Sequence, residues 1–200
     1  MKLGILSVQG AFLEHELSLK RSSKRLDFKA DIYRVKSSQD ISNLDGFVIP
    51  GGESSTISRL IEKFEMSQII KEKADQGMPI MGTCAGSILM ASEGDEAVQK
   101  SNTSLLSLMN TSVKRNAFGR QRYSFECGVD IKGICQNFPA VFIRAPAMAE
   151  CRDNCKSLAQ VDGTTIAAEQ DNLISLVFHP ELTEDLRIHE YFLEKVRDYL

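Results

Sequence analysis

Apolar and polar positions in the first half of the chain follow a strand–helix–strand order. Short apolar runs typical of buried strands occur at KLGILSVQ, ADIYRVK, DGFVIP and MPIMG, and helical spacing of apolar positions covers residues 11–26 and 55–75. Strands that alternate with helices usually form a parallel sheet with helices on its faces. This half therefore predicts an α/β fold with a parallel sheet.

The second half has a different pattern. From about residue 106 short strands predominate, in LSLMNTSVKR, RYSFECGVDI, AVFIRA, KSLAQV, TTIAAEQ and LISLVF, and the DN at 171–172 turns the last pair. EGDEAVQKSN at 93–102 reads as a polar loop, and the last segment is a helix with one apolar face formed by Ile188, Phe192, Val196 and Tyr199. We predict one α/β domain over residues 1–200 with an added antiparallel portion.

Composition and charge place this domain in a broad class. The chain has 200 residues, 42% of them hydrophobic, and a net charge of -3, which gives no general affinity for nucleic acid or anionic membranes. The start MKLGILSVQGAF reads as a first strand and not as a signal peptide, and no apolar stretch approaches the ~20 residues that cross a bilayer. We expect a soluble, cytoplasmic protein.

The five cysteines indicate neither disulfides nor a metal site. An odd number in a chain of this size is not a disulfide framework, and nothing indicates secretion. CRDNC brings Cys151 and Cys155 close together, but zinc needs about four ligands and no second pair accompanies them. We expect no metal, and we interpret Cys127 and Cys135 as small hydrophobic residues in or beside strands.

The fifth cysteine, Cys84, lies in GTCAG, where an apolar strand gives way to a helix. Glycines on both sides permit a turn too tight for a Cβ, as in the G-x-S-x-G elbows that expose a serine nucleophile. The amino terminus of the following helix favours negative charge and so the thiolate, the form that attacks carbonyls. The alternative is a buried structural cysteine.

A cysteine nucleophile needs a base, and the chain has three histidines. His15 and His189 lie within helices and read as surface or packing residues, whereas His179 ends the LISLVF strand, where catalytic groups collect in parallel sheets. Glu181, two positions on and past a proline, can orient the imidazole. Cys84, His179 and Glu181 form a candidate triad; the alternative is a strand-end histidine bonded to a backbone carbonyl, with Glu181 capping the next helix.

Acyl chemistry also needs donors for an oxyanion. In PGGESST, Gly51 and Gly52 allow backbone N–H groups to turn inward beside the Ala85 N–H, while Ser54, Ser55 or Thr56 can cap the next helix. A phosphate cradle is the competing interpretation, but the G-x-x-x-x-G-K-[ST] spacing is absent, as is a GxGxxG after the first strand.

The motifs together resemble a known family. GTCAG with a later HPE is similar to the class I, triad-type glutamine amidotransferases, and VQGAFLEH, PGGESST, KRNAFGRQ, FIRAP and FHPELTED resemble the glutaminase subunits of pyridoxal 5′-phosphate synthase. The resemblance runs from residue 8 to 185 and implies a flavodoxin-like three-layer fold. It makes Cys84 the nucleophile, His179 the general base and acid, and Glu181 its orienter. APAMAECRDNC and residues 93–102 match no pattern of the family.

The resemblance also implies a substrate and a partner. Glutamine contacts map to Gly52, Glu53, Ser54, Arg115, Ile143 and Arg144, although the residues alone, without the resemblance, favour ordinary salt-bridge roles for the two arginines. No cofactor or metal is needed. The expected partner is the barrel subunit of pyridoxal phosphate synthase, in an assembly of many copies of each, with Gln9, Gly10 and the helix bearing His15 at the partner surface.

Three other functions remain open at this level. One is a glutaminase subunit of another amidotransferase, such as imidazole glycerol phosphate synthase. Another is a different cysteine hydrolase on a similar elbow, such as a peptidase or a DJ-1-like protein, which does not require the HPE, RNAFGRQ and FIRAP motifs. The third is a non-catalytic binding module, which usually lacks a triad member; none is missing here.

Overall fold

The computed structural model describes residues 1–115 and 124–200. The part of the RNAFGRQ motif after Arg115 and the first two residues of the predicted RYSFECGVDI strand lie outside the described residues. In the described ranges the strands are β1 (Lys2–Leu6), β2 (Asp31–Val35), β3 (Gly46–Ile49), β4 (Ile80–Thr83), β5 (Ala91–Gly94), β6 (Met109–Lys114), β7 (Ser124–Ile131), β8 (Cys135–Ile143), β9 (Ala147–Cys151), β10 (Lys156–Val161), β11 (Thr164–Gln170) and β12 (Leu173–Leu176).

Helices separate these strands, mostly in the first half of the chain. In the described ranges they are α1 (Phe12–Arg25), α2 (Ser38–Ile41), α3 (Ser54–Lys63), α4 (Ser67–Asp75), α5 (Ala85–Met90), α6 (Glu96–Lys100) and α7 (Arg187–Tyr199), with a 3₁₀ turn at Pro180–Leu182. No helix of the described part of the chain is both long and apolar enough to cross a membrane.

One large sheet organises the molecule. Its strand order is β2-β1-β3-β4-β12-β11-β9-β6-β5, with β10 beside β11, and β7 and β8 form a separate antiparallel hairpin. From β2 to β12 neighbouring strands are parallel, and from β12 through β11 and β9 to β6 they are antiparallel. The predicted mostly parallel sheet with an added antiparallel portion is confirmed.

The central strands are covered on both faces. Every residue of β3, β4 and β12 is buried, as is β1 after Lys2, so helices must lie against both sides of the sheet. Helix α1 packs against α7, and α5 packs against α3. The order of the parallel strands is that of flavodoxin-like folds, in which ligands bind beyond the carboxyl ends of the strands.

Two predictions about local structure are wrong. The helix predicted over 55–75 is two helices, because the chain turns between them with Glu65 in a left-handed conformation at φ 52°. The loop predicted at 93–102 contains the end of β5 and helix α6, whose first turn is capped by Asp95, accepting from the Val98 N–H at 3.0 Å. The aspartate cap was a readable helix-start signal.

The consecutive antiparallel strands β10, β11 and β12 follow the sequence pattern closely. β10 and β11 have the predicted bounds, and β11 and β12 pair around the predicted turn at Asp171 and Asn172. This hairpin places the end of β12 beside β4 in the centre of the sheet, with Leu176 paired to Thr83. The residues that follow these two strands carry the candidate chemistry.

Candidate active site

Cys84 occupies a strained turn between β4 and α5. Its backbone angles are φ 48° and ψ -101°, which a non-glycine residue adopts only where the surrounding structure enforces it. A Cβ on Gly86 would lie 2.0 Å from the Ile49 carbonyl oxygen, and one on Gly82 would lie 2.8 Å from the Gly86 backbone. The predicted elbow therefore has the predicted steric reason for its two glycines.

The candidate triad comes together because β4 and β12 are neighbours. The Cys84 N–H donates to the Leu176 carbonyl at 2.8 Å, which ties the elbow to the end of β12. His179, three residues beyond Leu176, is fixed by its own N–H, which donates to the Val141 carbonyl at 2.8 Å. The His179 imidazole then hydrogen-bonds Cys84 on one side and, through Nδ1, Glu181 Oε1 at 2.7 Å on the other.

The environment of His179 favours its protonated form. Burial by itself lowers the pKa of His179, but hydrogen bonds and charge from Cys84 and Glu181 outweigh burial and raise the pKa to about 10. The imidazole is therefore an imidazolium at neutral pH, next to the sulfur. Burial has the opposite effect on a carboxyl group and by itself raises the pKa of Glu181. The imidazoles of His15 and His179, which face Glu181, outweigh burial and hold the pKa of Glu181 below its usual value.

The loop after β3 approaches the triad from the other side. A Cβ on Gly51 would lie 2.4 Å from the His179 ring, so only glycine fits there. The Gly51 N–H, which we expected to turn into the site, donates instead to Thr83 Oγ1 at 3.0 Å. Gly51 is therefore not an oxyanion donor in this conformation.

The neighbouring peptide is better placed for that role. The Gly51 carbonyl accepts from the Ala11 N–H at 3.0 Å, and in a trans peptide the following N–H, that of Gly52, points the opposite way. Gly52 lines the same pocket as Cys84, and its N–H has no acceptor within residues 1–115 and 124–200. Gly52 and Ala85 remain the candidate oxyanion donors.

A pocket of about 220 Å³ opens over Cys84. This is small beside drug-sized sites, which start near 300 Å³, and suits a single amino acid. Cys84 and His179 line it together with all six predicted glutamine contacts and Ala85; the other lining residues are Ile88 and Pro146. The tertiary structure thus gathers residues from five separate segments around one thiol.

The wall of the pocket carries charges of both signs. Arg115 Nη2 forms an ion pair with Glu53 Oε1, and the Arg115 N–H donates to Asp95 Oδ2 at 3.1 Å. Arg144, at the end of β8, has φ 44°, a strained conformation at the mouth of the site. A ligand with one carboxylate and one ammonium finds guanidinium and carboxylate partners here.

Two histidines that we interpreted as surface or packing residues lie directly behind the triad. His15 and His189 are fully buried, with His15 Nδ1 3.0 Å from His189 Nε2. His15 Nε2 is 3.0 Å from Thr83 Oγ1 and 3.3 Å from Glu181 Oε2. Burial lowers the pKa of both imidazoles, that of His189 to about 3, so both are neutral at neutral pH.

This buried pair predicts a specific loss of stability in acid. Between about pH 6.5 and pH 3 the unfolded chain binds a proton at His189 and the folded chain does not, so the free energy of unfolding falls as the pH falls. His189 alone contributes a slope of about 1.4 kcal/mol per pH unit there. We expect His189→Gln to flatten the pH dependence of urea unfolding by roughly this slope. An unchanged dependence would contradict the assignment of His189 as a neutral buried imidazole.

Four residues of the site carried weak or no local signals. Ile88 lies one helical turn after Cys84, and Pro146 closes the FIRAP motif, so both could have been inferred from spacing. Thr83 precedes the elbow and anchors Gly51. Gln9, placed near the site only through the resemblance, accepts from the Glu53 N–H at 2.9 Å through its side chain.

The other cysteines lie outside this pocket. Cys127 and Cys135 are in β7 and β8, as predicted, and Cys151 and Cys155 hydrogen-bond each other near the end of β9. Within the described residues, no group of three or more histidine, cysteine, aspartate or glutamate side chains could hold a metal ion.

Comparison with known proteins connects this geometry to a family. Residues 5–198 match the model of the SNO glutamine amidotransferase family. Over 196 residues, the chain is 47% identical to the pyridoxal 5′-phosphate synthase subunit PdxT of Methanosarcina mazei and 50% identical to that of Methanocella arvoryzae, covering 98% of both chains in each pair. A crystal structure described as a glutamine amidotransferase superposes with a TM-score of 0.85 at 35% identity, again over 98% of each chain.

Proposed function

Because the chain belongs to the SNO glutamine amidotransferase family, we propose that it hydrolyses L-glutamine to L-glutamate and ammonia and delivers the ammonia to a pyridoxal 5′-phosphate synthase partner. One observation carries the proposal. Cys84, His179 and Glu181 form a continuous hydrogen-bonded row, and Cys84 opens into a pocket lined by each predicted glutamine contact.

The proposed chemistry begins at Cys84. Its thiolate adds to the side-chain amide carbon of glutamine, and the oxygen that becomes negative is met by the backbone N–H groups of Gly52 and Ala85. The His179 imidazolium gives its proton to the departing nitrogen, so ammonia leaves and a glutamyl thioester remains. Neutral His179 then takes a proton from water, which attacks the thioester and releases glutamate. These steps use side chains and backbone of this chain alone.

Substrate selection rests on the charged wall. Arg115 and Arg144 are available to the α-carboxylate of glutamine, and Glu53 to its α-ammonium. Because Arg115 and Glu53 form an ion pair with each other, this proposal requires glutamine to exchange that pair for contacts of its own. The backbone of Ile143 and the side chain of Ser54 complete the proposed set of contacts.

Ammonia released into water is mostly protonated and loses its nucleophilicity, so direct transfer to a partner is part of the proposal. The relatives named above are subunits of pyridoxal 5′-phosphate synthase, which favours that synthase over imidazole glycerol phosphate synthase. Helix α1 presents two half-exposed leucines one turn apart, Leu13 at 51% and Leu17 at 58%, beside the loop of Gln9 and Gly10. Such a surface suits docking of a barrel subunit, in an assembly of many copies of each chain.

We expect the isolated chain to be a slow glutaminase that the synthase subunit activates. The loop at Gly51 and Gly52 is held by Ala11 and Gln9 from the β1–α1 loop, so docking at that loop can lock the Gly52 N–H in the direction that faces the pocket. One oxyanion donor changes the rate by about 100- to 1000-fold, which is the activation expected on titrating the chain with the synthase subunit while following glutamate release.

Two controls make this titration decisive. The synthase subunit of imidazole glycerol phosphate synthase should not activate the chain, and the Cys84→Ala variant should stay inactive with either partner. Full turnover by the chain alone, unchanged at saturating partner, would rule out activation by docking. Absence of glutamine hydrolysis even with the pyridoxal phosphate synthase subunit would overturn the proposed function.

A further inference from the structure

Glu181 is approached by imidazoles from both sides, and only one of them belongs to the triad. Its Oε1 accepts from His179 Nδ1 at 2.7 Å. Its Oε2 is buried, and within the described residues it has no hydrogen-bond partner of good geometry; His15 Nε2 lies 3.3 Å away. A buried carboxylate oxygen without a donor is costly, so the group at Nε2 of His15 decides how firmly Glu181 is held.

The tautomer of His15 follows from its surroundings. If Nε2 were unprotonated, its lone pair would face the Glu181 carboxylate, and His189 would have to accept from His15 and carry its own proton on Nδ1, which has no partner. If Nε2 carries the proton, it is shared between Thr83 Oγ1 and Glu181 Oε2, and His189 Nε2–H donates to His15 Nδ1. The second arrangement leaves no buried N–H without an acceptor and is therefore favoured.

The same N–H reaches the oxyanion loop through Thr83. Thr83 Oγ1 contacts His15 Nε2 at 3.0 Å and accepts from the Gly51 N–H at 3.0 Å. His15 thus touches the residue that orients the base and the residue that anchors the glycine loop. Neither His15 nor His189 lines the substrate pocket.

We infer that His15 is a positioning residue of the glutaminase site, whose Nε2–H fixes Glu181 and Thr83 together, and that His189 holds His15 in the tautomer that can do so. This inference rests on the proposed function. A fixed Glu181 keeps Nδ1 of His179 bonded and its other ring nitrogen aimed at Cys84, so His15 acts on the chemical step and not on glutamine binding.

Two polar substitutions separate donor position from mere polarity. The side-chain nitrogen of Gln is as many bonds from Cβ as Nε2 of histidine, so it can occupy the same position. The side-chain nitrogen of Asn is one bond closer to Cβ and corresponds to Nδ1. In the complex with the synthase subunit we expect His15→Asn to lower kcat by about 10- to 100-fold with KM nearly unchanged, the range typical of supporting residues behind a site. His15→Gln should recover kcat to within about 5-fold of the parent.

A double-mutant cycle tests whether the effect passes through Glu181. If it does, His15→Asn introduced into the Glu181→Gln variant should lower kcat much less than it does in the parent chain. An equal loss in both backgrounds, a loss confined to KM, or His15→Gln as damaging as His15→Asn would each overturn the inference. If the parent complex itself released no glutamate, the proposed function would fail instead.

His189, which hydrogen-bonds His15, offers a second test if the His15→Asn variant folds poorly. His189→Leu removes the donor to His15 Nδ1, and His189→Gln keeps an N–H at the same place. We expect a lower kcat for His189→Leu than for His189→Gln, with melting temperatures of both variants measured alongside. Equal kcat values in two folded variants would show that His189 does not set the state of His15.

Discussion

The Cys84→Ala variant is expected to lose glutamine hydrolysis by at least about 10⁵-fold while keeping its fold. No thioester can form without the sulfur, and binding and oxyanion contacts alone leave only a small residual rate. The substitution leaves the strained backbone at the elbow with a Cβ, so the packing of α5 against β4 is retained. The measurement is glutamate release with saturating synthase subunit, with thermal unfolding to check the fold.

Cys135→Ala is the matched control for this variant. Cys135 lies at the start of β8 and does not line the pocket, so its loss should leave the rate within a few-fold of the parent. The same holds for Cys127, Cys151 and Cys155. An electrophilic glutamine analogue followed by peptide mapping should label Cys84 first; first labelling of any other cysteine would contradict the assignment.

The second large effect concerns the base and its orienter. His179→Asn removes the imidazolium proposed to protonate the departing nitrogen and the base proposed to activate water, so we expect a loss of at least about 10⁴-fold. Glu181→Gln keeps a hydrogen-bonding group 2.7 Å from Nδ1 but no charge, and should retain a measurable rate, about 10²- to 10⁴-fold below the parent.

The pH dependence of kcat distinguishes two proposed roles of Glu181, which are to orient the His179 ring and to stabilise its positive charge. The carboxylate helps to raise the pKa of His179, so Glu181→Gln should lower the pH above which the charged imidazole is lost. We expect the basic limb of the kcat profile to move to lower pH in this variant.

His15→Asn must remain far more active than His179→Asn under the same conditions; equal losses would mean that the wrong histidine was assigned as base.

Much of the candidate site was predictable because its signals are local. The GTCAG pattern indicates a tight turn within five residues, although the atom that excludes a side chain at Gly86 is the distant Ile49 carbonyl oxygen, and His-Pro-Glu puts the candidate base and orienter within three residues. The bounds of β10 and β11 follow from their alternation and a short turn. The glutamine contacts were assigned through resemblance to a family, and the structure places each of them on the pocket with Cys84.

Errors occurred where distant contacts override local preference. Residues 55–75 have a continuous helical pattern, yet the helix breaks at Glu65, because Met66 and Ile70 are buried in the core and the second helix must change direction to reach it. Residues 93–102 look polar enough for a loop, but pairing of β5 with β6 draws Glu93 and Gly94 into the sheet, and helix α6 follows. The break at Glu65 and the pairing of β5 depend on partners that no short window contains, whereas the start of α6 had a local signal in Asp95.

By itself, the sequence determined the α/β class and singled out Cys84, His179 and Glu181 as the candidate triad, because each of these signals lies in residues close together in the chain. The tertiary structure alone decided that the Gly51 N–H turns to Thr83, 32 residues away, and that His15 meets His189 across 174 residues behind Glu181. A helical histidine between two glutamates looks solvent-exposed in sequence. Only the packing of α1 against α7 and the end of β4 buries it beside the triad, since burial depends on which elements meet and not on neighbours in the chain.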